Sequence, residues 1–120
     1  MLFRSELAVD DRVTFGGEVT YAQVPQLLGL VDAVVNPTRG NAADKVVYEA
    51  AASCLPVFAA SPVFDTLLPP SLRFPADDAS ALAHRVREYT GGAGPALRDE
   101  VIHRHSVGRW ADRVLEAAGA

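Results

Sequence analysis

Two short apolar runs, Ala33-Val34-Val35 and Val57-Phe58-Ala59-Ala60, flank an amphipathic stretch from Ala43 to Cys54, and this spacing is the tightest constraint in the chain. Runs without polar alternation suit strands covered on both faces, as in parallel sheets joined through helices. Between them, Val46, Val47, Ala50, Ala51 and Cys54 recur at helical spacing and are expected to pack inward. Pro37 ends the first run and Leu55-Pro56 leads into the second. The stretch therefore predicts a right-handed strand–helix–strand unit.

The same alternation extends along the chain. Leu2 to Leu7 reads as the end of a helix, and Asp10-Asp11 as a turn into a strand over Arg12–Gly16 that Gly16-Gly17 stops. Thr20 is a plausible N-cap for a helix over Ala22–Val31, with Val24, Leu27, Leu28 and Val31 on one face. Ser61-Pro62 opens an irregular piece with helical turns over Phe64–Leu68, and Leu72-Arg73-Phe74 reads as a last brief strand. Asp77 or Asp78 starts a helix over Ala79–Tyr89, with Leu82, Val86 and Tyr89 inward, and Gly91-Gly92 stops it. Two more helices follow, near Pro95–His105 and Val107–Ala118. Strand followed by helix, repeated with short connections, predicts an α/β domain: a Rossmann-like open parallel sheet of about four strands with flanking helices. The domain opens on the tail of a helix with no strand before it, so the chain reads as the second part of something longer.

At 120 residues, with 49% of them hydrophobic and 22% charged, the chain suits one globular domain. The net charge of −4 and the scattered arginines argue against nucleic-acid binding, which needs clustered cations. The single cysteine, Cys54, forms no internal disulfide and reads as a core residue. No apolar run approaches the roughly 20 residues of a membrane span. The N-terminus lacks the basic-then-apolar order of a signal peptide, so the expected location is cytoplasmic.

In open parallel sheets, ligands lie beyond the carboxyl ends of the strands. Those ends are expected at Gly16-Gly17, at Asn36–Asn41 and at Ser61, converging on one crevice. The loop Thr38-Arg39-Gly40-Asn41 feeds the central helix, whose N–H groups and partial positive charge favour an anion such as phosphate. Gly40 permits close backbone approach, and Asn41 is a possible N-cap. Lys45, the only lysine beside ten arginines, falls in the first turn, where a cation is unfavourable unless an anion is bound. Glu49 lies four residues on, on the same face, where a carboxylate suits the hydroxyls of a ribose or sugar diol. Together these residues describe a nucleotide-shaped site.

Each of these features also has a plain structural reading. Lys45 and Glu49 read equally as a surface pair, worth a few tenths of a kcal/mol, although lysine before glutamate is the poorer orientation. Gly16-Gly17 reads as a turn, and Arg39 as a solvated side chain. His103 and His105 are two apart on a helix and make a poor metal pair. Trp110, spaced helically from Val107 and Val114, reads as packing.

Taken in order, Val13-Thr14-Phe15-Gly16-Gly17-Glu18-Val19, Val31-Asp32-Ala33-Val34-Val35-Asn36-Pro37-Thr38 and Tyr48-Glu49-Ala50-Ala51-Ala52-Ser53-Cys54-Leu55-Pro56-Val57 resemble the C-terminal, donor-binding domain of group 1 glycosyltransferases of the B fold. That family has a strand ending in F-x-G, an aDv-x-v-x-P-S strand and an E-A-x-A-x-G-x-P-V helix-to-strand unit. The resemblance covers about residues 2 to 118. It implies transfer of a sugar from a nucleotide diphosphate sugar to an acceptor, with retention and without an essential metal or other cofactor. Glu49 then corresponds to the glutamate that binds the donor ribose. Asn41 stands where the family has an acid that contacts the donor sugar; it can bond a hydroxyl but carries no charge. Cys54 replaces the usual glycine before Leu-Pro-Val.

The family's N-terminal acceptor domain has no counterpart here, nor has the first strand of the C-terminal domain with its diphosphate-gripping basic residues. The resemblance thus implies a truncated donor-binding domain, inactive alone, whose partner is the missing domain or another subunit. It also allows a peripheral place at a membrane as part of a larger enzyme. The expected donor-binding residues are Thr38, Arg39, Gly40, Asn41, Lys45 and Glu49, with Gly16 and Gly17 lining the base. The rival reading is a non-catalytic interaction module that pairs with a partner subunit through an exposed sheet edge and the tail helices. A receiver-like signalling domain fits poorly, because Asp10 and Asp11 precede a strand instead of following one.

Overall fold

In the computed structural model, residues 8, 9 and 11–119 are described. The expected helix over Leu2–Leu7 lies outside them. Two strands, β1 (Val34–Asn36) and β2 (Val57–Ala59), pair in parallel, with Val34 opposite Val57 and Asn36 opposite Ala59. Between them runs α2 (Lys45–Ala52), preceded in the chain by α1 (Val24–Leu28). Three helices close the chain: α3 (Ala79–Glu88), α4 (Gly94–Arg104) and α5 (Val107–Ala117).

The four-stranded Rossmann-like sheet expected from sequence is not formed: among the described residues the sheet has two strands. The expected strand at Leu72-Arg73-Phe74 is reduced to one parallel bridge between Ala59 and Arg73. Prolines explain this. Pro69 and Pro70 set a 3-10 turn over Pro70–Leu72 that engages the Leu72 and Arg73 amides, which leaves the Phe74 amide alone to reach the Ala59 carbonyl. The expected strand over Arg12–Gly16 lies outside the two-stranded sheet of the described residues and is exposed, with Phe15 57% accessible. Strand preference is largely a preference for packed neighbours, and every residue from 11 to 20 is exposed.

Burial also divides the two strands. All of β2 is buried, whereas Val35 of β1 is 45% exposed, so β1 is covered less completely than its apolar composition predicts. The core lies on β2: Phe58 and Val57 meet Val47, Ala50 and Ala51 of α2, with Phe64, Leu68 and Leu72 from the irregular segment and Leu97 and Val101 from α4. Tyr89 closes one side by an edge-to-face contact with Phe58 at 5.8 Å.

Local signals place the helices well. The Asp78 carboxylate accepts from the Ala81 amide at 2.9 Å; α3 ends where Tyr89 turns extended, and Gly91 and Gly92 follow with φ of 97° and 90°. Ser106 caps α5 through the Arg109 amide at 3.2 Å. The first helix is shorter than expected, because Pro25 fixes its start after a 3-10 turn over Tyr21–Gln23 and Gly29 ends it. Thr20 lies at that boundary, its amide donating to the Gln23 side chain at 2.8 Å. The cap of α2 is Asp44, not Asn41. Val86 and Trp110, expected inward, are 48% and 66% exposed.

Cys54 is exposed as well, contrary to the core role expected for it. It follows α2 with φ of 63°, while the Cys54 amide donates to the Ala51 carbonyl and the Leu55 amide to the Ala50 carbonyl, each at 3.0 Å. That paired bonding is the helix ending in which glycine is preferred. Gly94 packs directly on it: a Cβ at Gly94 would sit 2.0 Å from the Cys54 carbonyl oxygen. The Arg98 guanidinium, one turn along α4, donates to the Ala52 carbonyl. The end of α2 and the start of α4 are thus one joint.

The molecule measures 59 × 31 × 27 Å with a radius of gyration of 16.4 Å, above the ~14 Å of a compact chain this long. Residues 11–20 are all exposed and α5 contributes no buried residue, which accounts for the elongation.

Replacing Cys54 by glycine relieves the left-handed strain and is expected to raise stability by ~1 kcal/mol, or about 4 °C in Tm. Gly94→Ala is expected to cost about 1–3 kcal/mol or more through the clash with Cys54. Thermal unfolding followed by circular dichroism checks both signs.

Candidate functional site

Two regions flank the N-terminal part of α2. The first is the loop between β1 and α2. Asn36, at the end of β1, donates from Nδ2 to Asp44 Oδ2 at 3.0 Å, and Thr38 donates from Oγ1 to the same oxygen at 2.6 Å. Alternation along the strand end brings Asn36 and Thr38 to one side, where both reach the residue before the helix. The two bonds stabilise the ionised form, so Thr38 first and Asn36 second hold the Asp44 carboxyl below its ordinary value; desolvation opposes them more weakly.

A fixed carboxylate therefore stands at the helix end where an external anion was expected. It also supplies a negative charge beside Lys45, which relieves the unfavourable placement of that cation near the positive end of the helix. Sequence reasoning missed Asp44, although aspartate immediately before an amphipathic run is a recognisable signal.

The rest of the loop is tied outward and inward. Arg39 binds Asp77 Oδ1 through Nη2 at 2.8 Å and Nε at 2.9 Å, an exposed pair reaching from the loop to the start of α3. Gly40 takes φ of 71°, and its carbonyl accepts from Oγ of the buried Ser61 at 2.9 Å, joining this loop to the end of β2. Asn41 is exposed. Gly16 and Gly17 are exposed too, and a Cβ at either would meet nothing within 4 Å.

The second region is a groove of about 850 Å³ between α2 and α5. Lys45, Tyr48 and Glu49 form one wall; Arg104 to Val107 form the floor at the α4–α5 junction; Trp110, Arg113, Val114 and Ala117 form the other wall. Tyr48 is fixed between Phe64, edge-on at 5.4 Å, and the ring of His105 at 4.9 Å. Glu49 also borders a smaller cavity of about 260 Å³ beside Tyr21, Val24 and Leu28.

Of the residues expected from sequence, the groove brings together Lys45 and Glu49. Thr38, Arg39, Gly40, Asn41, Gly16 and Gly17 do not line it. Lys45 and Glu49 form no ion pair with each other or with another described residue, so the surface-pair alternative is not what the structure contains. Trp110 and Arg113 join the groove through the turn at Ser106, which no periodicity in α5 foretold. Among the described residues no three His, Cys, Asp or Glu side chains gather as a metal site would require. No described helix is long and apolar enough to cross a membrane.

No family model matches this chain, and no curated protein or solved structure matches it significantly. The functional argument therefore rests on the site itself.

The Asp44 carboxyl is expected to titrate below 3.8, its ordinary value. A depressed folded-state pKa stabilises the fold fully above the unfolded value, and that stabilisation is lost as pH falls through the depressed one. Carbon-detected NMR titration checks this. Thr38→Val should raise the Asp44 pKa toward its ordinary value, and an unchanged value would remove Thr38 as the main cause.

Proposed function

We propose that the chain is the donor-binding part of a glycosyltransferase, holding a nucleotide diphosphate sugar whose sugar passes to an acceptor bound elsewhere. One observation carries this reading. Lys45 and Glu49, one turn apart on α2, enter the same groove with neither neutralised by a partner among the described residues. Unpaired opposite charges on one wall fit a ligand that carries both an anion and hydroxyl donors.

In this reading Lys45 attracts the diphosphate and Glu49 accepts hydrogen bonds from the ribose diol. The loop Thr38–Asn41 lies beside the donor sugar. Arg39 becomes a phosphate ligand by exchanging its exposed pairing with Asp77, an exchange that costs little because the pair is solvated. The ordering of this loop by Asp44, Asn36 and Ser61 supports a preformed site. No catalytic residue is assigned to this chain.

A second reading, an interaction module, draws support from α5, none of whose residues is buried although Val107 and Trp110 are apolar. Under it, the groove buries protein and nucleotide sugars do not bind.

Titration calorimetry with uridine and guanosine diphosphate sugars separates the two. Binding in the micromolar to low millimolar range is expected, and Glu49→Ala should weaken it about 10–100-fold, as loss of charge-assisted hydrogen bonds implies. No heat at millimolar ligand with correctly folded protein sinks the donor reading.

A further inference from the structure

We infer that α5 completes this nucleotide site: the Trp110 indole is the stacking platform for the base, and Arg113 joins Lys45 as a ligand of the phosphates. The inference rests on the donor-binding reading of Lys45 and Glu49, and it moves base recognition from the Gly16-Gly17 edge to the C-terminal helix.

Trp110 is 66% exposed and lines the groove across from α2. An aromatic face left accessible in a cleft suits a planar π-system, and base stacking is tolerant of which base is offered. Arg113 lies three residues on and therefore neighbours Trp110 on the helix surface. It differs from the other cations of this region. Arg104 pairs with Glu100 at 2.9 Å and Arg109 with Glu116 at 3.8 Å, whereas neither Arg113 nor Lys45 has an acid partner among the described residues.

The groove's charge is opposite to that of the molecule. Lys45, Arg104 and Arg113 face one carboxylate, Glu49, in a chain of net charge −4. An apolar peptide segment laid over these walls would desolvate Lys45, Arg113 and Glu49 without pairing them, at considerable cost. A nucleoside diphosphate offers each a partner: base for Trp110, diol for Glu49, phosphates for the two cations. The volume of about 850 Å³ lies within the range of roughly 300–1,000 Å³ usual for small-molecule sites.

Trp110 is the only tryptophan in the chain, so its emission reports on this position alone. Uridine diphosphate and guanosine diphosphate are expected to quench it saturably, while pyrophosphate competes without comparable quenching. By calorimetry, Trp110→Ala should weaken either nucleotide about tenfold or more, Trp110→Phe should restore most of that, and Arg113→Ala should weaken pyrophosphate as well. Nucleotide binding that depends on Glu49 but leaves Trp110 emission and the Trp110→Ala affinity unchanged overturns this inference and leaves the donor reading standing. Absence of all nucleotide binding at millimolar ligand overturns both. A blue-shifted Trp110 emission that grows with protein concentration and resists nucleotide also overturns it, since the face would then be buried against a second copy.

Discussion

Everything in this molecule hangs on the burial of α2 against β2. Val47, Ala50 and Ala51 are fully shielded on one side of the helix, and β2 is shielded along its whole length. Small side chains at the contact let helix and strand approach closely, and close-packed contact of this kind is the main source of stability in a small domain. The opposite face of α2 is then held outward in a fixed orientation. Lys45, Tyr48 and Glu49 lie on it.

The joint between Cys54 and Gly94 extends this constraint to the C-terminal half. Because Gly94 has no side chain, α4 begins against the carbonyl that ends α2, and Arg98 bonds the Ala52 carbonyl from the same helix. The direction of α4 is therefore set by the end of α2. The short turn at Ser106 then directs α5 back past the outer face of α2. The groove is a consequence of two successive geometric decisions, one at a left-handed residue and one at a cap. The cost is local strain at Cys54, where glycine would sit more easily.

The β1–α2 loop obeys a different logic. Its order comes from polar groups meeting at one carboxylate: Asn36 and Thr38 both donate to Asp44, while Ser61 holds the Gly40 carbonyl. Charge-assisted bonds of this kind are directional and fix a loop that contributes little apolar burial. The negative charge of Asp44 at the start of α2 answers the helix dipole internally, so the bare helix amides are less open to an anion than the sequence suggested.

Much of this could be read from the residues. Helix positions followed from periodicity, from Asp78 and Ser106 as caps and from Gly91-Gly92 as a stop, because those signals act within a few residues of chain. The common face of Lys45 and Glu49 followed from the pitch of a helix. The strand–helix–strand unit at β1, α2 and β2 was equally legible. The number of strands was not: Arg12–Gly16 and Leu72-Arg73-Phe74 carry strand-like residues yet lie outside the sheet of the described residues, because sheet membership depends on neighbours distant along the chain. Cys54 and Trp110 were misplaced for a related reason, since an apolar residue at helical spacing turns inward only if something lies there to receive it. By itself, then, the sequence determined the helices from α2 onward, the βαβ centre and one wall of the groove, all set by local sterics and short-range hydrogen bonds. Only the tertiary structure decided the width of the sheet and the meeting of Trp110 and Arg113 with Lys45 and Glu49, because each joins segments that are separate along the chain and close only through packing.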